Sequence, residues 1–306
     1  MRWLVGFLFA ALLVTPCWAG WQSRDSNYNT VFVSGGGGAY AGPGDVVSGA
    51  TIWYGFRAYS LAKAGTRVAN ICNAGAASCA DVNSLANGDF DVATAQGAPL
   101  NCGGAGGTCT VAKLYDQTVG NNCTGVTCDL SASGSAQPTV VFNAVGTKTC
   151  MGFNGTSNQI SDLLNSLSPV VNQPFTASWV AKAVSPTAQV SVLQFGTSNS
   201  QMGYHNSVAN QVWLYGGSVL AATASDGSFH ALQAVFNGGS SDMNVDGSQN
   251  TGAGGSTGMQ GQILVGQFSG GQFLPGSLCE VGGWPSGFSS GQSSNMSSNQ
   301  HSYWGF

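Results

Sequence analysis

The segment Asp226–Gly247, DGSFHALQAVFNGGSSDMNVDG, limits the fold more than any other stretch of this 306-residue chain. Phe229–Phe236 is apolar with some alternation and runs into Asn-Gly-Gly-Ser-Ser. Met243-Asn244-Val245 is a second short run, closed by Asp246-Gly247. Glycine and asparagine reverse a chain at positive φ with little strain, and side chains alternate along a strand. Apolar run, Gly/Asn turn, apolar run, Asp-Gly therefore spells two antiparallel strands of a meander.

The rest of the chain agrees with an all-β reading. Only 7% of residues are charged and 46 are Gly, the balance expected of many short strands joined by Gly/Ser/Asn turns. Disordered chains are usually charged and poor in aromatics, whereas 15 Phe, 8 Trp and 8 Tyr supply a core here. Strands are predicted at Thr30–Ser34, Arg67–Asn70, Thr110–Tyr115, Pro138–Phe142, Cys150–Phe153, Phe175–Ala183, Gln189–Phe195, Gln211–Tyr215, Val219–Thr223, Gln262–Gly266 and Leu278–Gly283. Gly35–Gly38 reads as a loop. Thr51–Ala64 places Trp53, Phe56, Tyr59 or Ser60, and Lys63 at helical spacing, with Gly65 behind them, and predicts a helix. Asp81–Asp91 predicts a second, short helix. Ser289–Ser302 is polar and of low complexity, and the aromatic end His301–Phe306 is expected to dock on the folded body.

Residues 1–19 read as a secretory signal peptide: Arg2, an apolar Trp3–Val14, then small residues at Cys17 and Ala19 before Gly20. That implies a secreted or extracytoplasmic (periplasmic or extracellular) protein, with residues 20–306 as one domain. No later stretch is long and apolar enough to cross a bilayer, so no membrane insertion is expected after cleavage. Net charge is −4 without a basic run, which argues against a nucleic-acid partner. Eight cysteines remain after Cys17. Short spacers pair Cys72 with Cys79, Cys102 with Cys109 and Cys123 with Cys128, leaving Cys150 and Cys279, and four disulfides are expected. With no Cys-x-x-Cys and no histidine near them, neither a metal nor a cofactor is expected.

A resemblance becomes specific along residues 50–122. Phe56-Arg57-Ala58-Tyr59-Ser60, Arg67-Val68, Asp89–Gln96, a Cys pair, then Thr110–Leu114 and Tyr115–Asn122 (YDQTVGNN) follow in that order. The arrangement resembles the catalytic domain of the α-L-arabinofuranosidase B family, with its "tRALYS", Cys-loop and "IYDQSGngN" motifs. Cys279-Glu280-Val281-Gly282…Pro285 is similar to the family's final "YEG" segment. The central hairpin also resembles that of concanavalin-like and laminin-G-like jelly rolls. The resemblance implies a concanavalin A-like two-sheet jelly-roll sandwich with a Cys-rich, partly helical N-terminal region. It also implies a Glu nucleophile before the central hairpin and an Asp general acid in a Gly/Asn-rich loop before the "YEG" strand.

Those carboxylates do not carry over. No Asp or Glu occurs from Leu163 to Ser225 or from Gly247 to Cys279. The corresponding stretches read Gln211-Val-Trp-Leu-Tyr-Gly-Gly and Gly266-Gln-Phe-Ser-Gly-Gly-Gln, and the family's vicinal cysteine pair is absent. Amides supply neither a nucleophile nor a proton at the needed pKa. Asp246 with Glu280, the only Glu, is the candidate replacement pair; Asp246-Gly247 equally makes a turn, and Glu280 a hydrogen-bonded strand position. Asp116 suits a sugar hydroxyl, Ca²⁺ or an Asx-turn. His205, His230 and His301 are far apart in sequence, and no Gly-x-Ser-x-Gly motif supports a serine hydrolase. Trp213 and Tyr215, two apart on a strand, and Tyr204 either form a sugar platform or fill the core. The leading expectation is a secreted protein that binds a polysaccharide or glycan containing arabinose or a related sugar, with weak or no hydrolysis. An active arabinofuranosidase with relocated carboxylates is the second reading. A structural or adhesive protein whose charge-poor surface self-associates is the third.

Overall fold

In the computed structural model, residues 39–306 are described apart from 119–122, 124–126, 163–166, 197–199, 206–207 and 269–270. The expected signal peptide, the strand Thr30–Ser34 and the loop Gly35–Gly38 lie outside the described residues. The central hairpin forms as the sequence demands. His230–Phe236 pairs antiparallel with Ser241–Val245, Leu232 opposite Val245 and Val235 opposite Asp242. A second turn at Asp246-Gly247 adds Ser248–Gly252 to it.

Two antiparallel sheets follow. The first runs Thr139–Val145, Lys148–Asn154, Pro275–Trp284, Phe175–Ala183, His230–Phe236, Ser241–Val245, Ser248–Gly252, and Ile52–Gly55 pairs with the far half of Pro275–Trp284. The second runs Cys79–Asn83, Arg67–Cys72, Thr110–Leu114, Leu130–Ser131, Ile160–Ser161, Ile263–Val265, Val190–Phe195, Ser200–Tyr204, Gln211–Tyr215, Val219–Thr223. Thr110 opposite Thr139 joins them at one margin. The apolar core lies between the sheets. Phe175 stacks on Phe236 at 4.4 Å within the first sheet and meets Phe195 of the second edge to face at 6.3 Å. Each such buried ring contributes on the order of 1.5–3 kcal/mol through the area it removes from water. The two-sheet sandwich expectation is met.

All four disulfides form as paired from the sequence, the long-range one joining Cys150 and Cys279, 129 residues apart, on neighbouring strands. Two helix expectations are corrected. Ile52–Gly55 is a strand and only Leu61–Lys63 makes a short 3₁₀ turn. Trp53 and Tyr54 are both wholly buried, one on each face of the sheet, so the strand loses the alternation that would have distinguished it from a helix. Cys79–Asn83 is likewise a strand, and Asp91 instead caps the short helix Val92–Gln96, accepting from the Thr94 amide at 3.0 Å.

The polar tail forms the longest helix among the described residues, Ser290–Trp304, which lies on the outer face of the first sheet. Ser289 and Gln292 make a reciprocal capping box, and Gly305 ends the helix at φ 79°. His301–Phe306 docks as expected: Trp304 packs beside the Cys150–Cys279 bridge, and Phe306 tilts against Phe229 at 6.1 Å.

Candidate functional site

The two acids singled out in the sequence stand in separate environments. Glu280 lies on the outer face of the first sheet, directly opposite Val180, and has no exposed surface. Its carboxylate accepts from Arg57 Nη2 at 2.8 Å, from Arg57 Nε and from Gln300 Nε2 at 2.9 Å. Gln300 also donates to Ser178 and accepts from Gln233 Nε2 at 2.7 Å. Glu280 is therefore sealed beneath the terminal helix as half of a buried ion pair, and a substrate cannot reach it in this arrangement. Gly55 lies opposite Glu280; a Cβ there would come within 2.8 Å of the Glu280 Cβ, so glycine makes room for the pair.

Asp246 occupies the hairpin turn at φ 52° and gathers two histidines that the sequence separates by 71 positions. His230 Nδ1 lies 2.6 Å from Oδ2, His301 Nε2 3.1 Å from Oδ1, and the Ala231 amide donates to Oδ1 at 2.8 Å. Ser225 Oγ sits 3.2 Å from His230 Nε2, so serine, histidine and aspartate line up in the order of a nucleophilic triad. The chemistry differs. His230 Nε2 is also 3.0 Å from the Ser225 carbonyl, so both ring nitrogens face acceptors and both are best served by carrying protons. Burial opposes that charge, but the Asp246 carboxylate and the Ser225 carbonyl outweigh it and lift the imidazole above its usual range. A ring nitrogen that donates to the Ser225 carbonyl has no free lone pair with which to take the Ser225 hydroxyl proton. The cluster ties the hairpin to the terminal helix, whose His301 also donates from Nδ1 to the Phe306 carbonyl at 2.7 Å.

Asp116 shapes a turn. It accepts from the Trp53 amide at 3.0 Å and the Thr118 amide at 3.1 Å, and burial pushes its carboxyl up to about 6. Two of the three aromatic candidates are core. Trp213 and Tyr204 are wholly buried, with Trp213 Nε1 donating to the Tyr204 carbonyl at 3.0 Å and the Tyr204 hydroxyl to the Ala181 carbonyl at 2.9 Å. Tyr215 is half-buried at the end of the same strand as Trp213. The platform reading thus gives way to the core reading for Trp213 and Tyr204, because neither presents a ring face to solvent. Among the described residues, no group of three His, Cys, Asp or Glu is placed to hold a metal ion.

The structure brings together another set of groups that sequence reasoning passed over. A cavity of about 340 Å³ opens between the segment 89–93, the start of the strand Lys148–Asn154 and the end of the terminal helix. Asp89, Asp91 and Lys148 line it, together with Tyr303, Trp304 and Thr149. Phe56 and Phe90, stacked at 4.6 Å, form an apolar wall. Lys148 Nζ pairs with Asp89 and lies 4.2 Å from the Tyr303 ring centroid. Tyr303 itself has its hydroxyl raised well above the usual phenol range, chiefly by burial and then by Asp89. The signal that could have located this site was faint: the helix that supplies Tyr303 and Trp304 is announced only by its Ser289/Gln292 box and Gly305.

No family model and no curated protein matches the chain. Solved structures do. An arabinofuranosidase complexed with arabinofuranosyl-α-1,2-xylobiose matches with a TM-score of 0.59 at 14% identity, covering 84% of this chain and 64% of that one. A mutant GH54 α-L-arabinofuranosidase soaked with 4-nitrophenyl α-L-arabinofuranoside gives 0.59 at 13%, and a GH54 α-L-arabinofuranosidase soaked with a cyclic sulfate inhibitor gives 0.58 at 12%, with the same coverage. This chain therefore has an arabinofuranosidase-like β-sandwich, the fold of the GH54 enzymes, and matches just under two thirds of their length.

Proposed function

We propose that the protein is a secreted, carbohydrate-directed protein that binds arabinose-containing or related polysaccharide with weak or no hydrolysis. What carries the reading is the state of the carboxylates. Every Asp and Glu among the described residues already has a partner inside the protein. A glycosidase needs two carboxyl groups facing each other across the scissile bond, about 5–5.5 Å apart for retention or about 6.5–9.5 Å for inversion. The two stretches that would supply them, the strand Gln211–Tyr215 and the ribbon Gln267–Phe268 with Gln272–Phe273, hold amide, aliphatic and aromatic side chains instead. The arabinofuranosidase-like fold supports a glycan partner, and four disulfides suit an oxidising, extracytoplasmic compartment.

One observation favours a working arabinofuranosidase as the second reading: Asp89 and Asp91 line a single cavity. Against it, Asp89 is bound by Lys148, and Asp91 is occupied by the amide and hydroxyl of Thr94. Release of 4-nitrophenol from 4-nitrophenyl α-L-arabinofuranoside between pH 4 and 8 separates the readings. It is run on the wild type, Asp89→Asn, Asp91→Asn, Asp246→Asn and Glu280→Gln, beside titration with arabinan and arabinoxylan. Saturable binding with no turnover above the buffer blank is expected. Turnover that disappears in Asp89→Asn or Asp91→Asn would establish the hydrolase instead.

A further inference from the structure

We propose that the cavity between the segment 89–93, Lys148–Thr149 and the end of the terminal helix is the sugar site, and that it takes one uncharged sugar residue of the polysaccharide. The proposal rests on the carbohydrate-binding reading above and assigns it a place and a ligand charge.

Two buried polar atoms point to a ligand. Trp304 is 2% exposed and Thr149 3% exposed, both line the cavity, and neither the indole Nε1 nor the threonine Oγ1 has a hydrogen-bond partner in the protein. Buried donors and acceptors are seldom left unpaired, and these two belong to cavity-lining residues, so a ligand toward which the two side chains turn supplies the missing partners. An indole N–H only donates, a threonine hydroxyl does either, Lys148 only donates, and Asp89 and Asp91 only accept. Among common ligands, a sugar residue answers all of these at once, because each hydroxyl both donates and accepts. Its C–H faces suit the apolar wall of Phe56 and Phe90. The cavity volume lies near the lower end of the ligand-pocket range of about 300–1,000 Å³, which fits a ring rather than a long chain.

Charge narrows the class. Asp89, Asp91 and Lys148 leave one net negative charge on the wall. The Arg57 guanidinium, 4.6 Å from the Tyr303 ring centroid, is neutralised by Glu280. A uronate would bring a second negative charge into a site whose single ammonium is already paired with Asp89. Like charges held close in a partly desolvated site repel strongly, so neutral pentoses or hexoses are taken and uronates are turned away.

The test is an NMR titration of the ¹⁵N-labelled full chain with a neutral arabinose trisaccharide and with a galacturonate trisaccharide. The Trp304 indole resonance is identified as the one missing from Trp304→Phe. The neutral trisaccharide is expected to shift that resonance, and Thr149→Val to weaken binding about five- to tenfold. The galacturonate trisaccharide is expected to bind at least about tenfold more weakly, with the gap narrowing in Asp91→Asn, where asparagine still caps the helix. Wild-type binding of the neutral sugar with an unmoved Trp304 resonance and unweakened Thr149→Val would overturn the site and leave the carbohydrate reading standing. Tighter binding of galacturonate would overturn the assigned ligand charge. No binding of any neutral sugar would overturn the carbohydrate reading and the site together. The wild-type titrations with the two trisaccharides decide the carbohydrate reading and the ligand charge even where a variant fails to fold.

Discussion

The strand Phe175–Ala183 is buried on both faces, and the two faces are held by different physics. Phe175, Ala177, Trp179, Ala181 and Ala183 point into the apolar core between the sheets. On the other side, Thr176 donates to the Ser286 carbonyl at 2.9 Å and accepts from the Phe288 amide at 2.8 Å. Beside it Ser178 joins the network of Gln300, Gln233, Glu280 and Arg57 under the terminal helix. Burial of apolar area is non-directional and grows with the area removed from water. A buried polar seam depends on every partner being present, since a group left alone keeps its desolvation cost and loses its compensation.

The largest effects should come from breaking either face. Glu280→Gln strands a buried guanidinium and should lower unfolding free energy in urea by about 3–5 kcal/mol. Trp179→Ala opens a cavity in the core and should cost about 3–5 kcal/mol in the same assay. The second substitution sharpens the contrast. Arg57→Met with Glu280→Met should recover most of the loss, because a paired charge replaced by apolar volume is often neutral. A double variant as unstable as Glu280→Gln alone would mean that the seam holds the helix by charge itself.

Replacing Cys150 and Cys279 together by Ala should cost about 2–5 kcal/mol, since their bridge closes a loop spanning 129 positions. That loss should appear as a lower urea midpoint under oxidising conditions and vanish when both proteins are reduced. An unchanged oxidised midpoint would show that the seam and core suffice without the bridge.

The smallest expected effect lies at the edge of the seam, where Asp246 meets His230 and His301. Burial disfavours the His230 charge, but Asp246 and the Ser225 carbonyl raise its pKa in the fold. The raised value means that its contribution is complete below about pH 6.5 and is lost as pH climbs through the folded value. Burial also raises Asp246, but His230, the Ala231 amide and His301 outweigh it and lower its pKa, so its share is present above about pH 4 and lost on acidification. The wild type should therefore lose about 2 °C in Tm relative to Asp246→Asn between pH 6 and 8.5. Parallel Tm curves for the two proteins would place the pH dependence elsewhere.

Much of the core face was legible, because alternation and turn chemistry are local. Phe175–Ala183, Gln211–Tyr215 and Val219–Thr223 fall at their predicted bounds, and the central hairpin within a residue or two. The polar face was not legible. The terminal helix has no apolar stripe, because the side it buries carries Ser293, Ser297 and Gln300 as well as Met296 and Trp304. Glu280 shows the same limit in the candidate site: a lone Glu beside a cysteine on a strand is compatible with an acid catalyst or a buried partner. Only the arrival of Arg57, 223 positions away, distinguishes them. The cavity was out of reach for a related reason, since its walls come from residues near 90, 148 and 303.

The sequence by itself determined the all-β class, the central hairpin, the local disulfides and the absence of carboxylates from the two stretches where a resemblance would place them. Each of these is fixed by neighbours in the chain: turn residues, period-two alternation, short Cys spacers, or residue identity alone. Tertiary structure alone decided which acids are sealed and that two distant histidines share Asp246. It also decided that Trp213 and Tyr204 serve the core while Trp304 and Thr149 line a cavity. Burial and charge pairing depend on which strands and helices meet, and those meetings are set by long-range packing that no local pattern records.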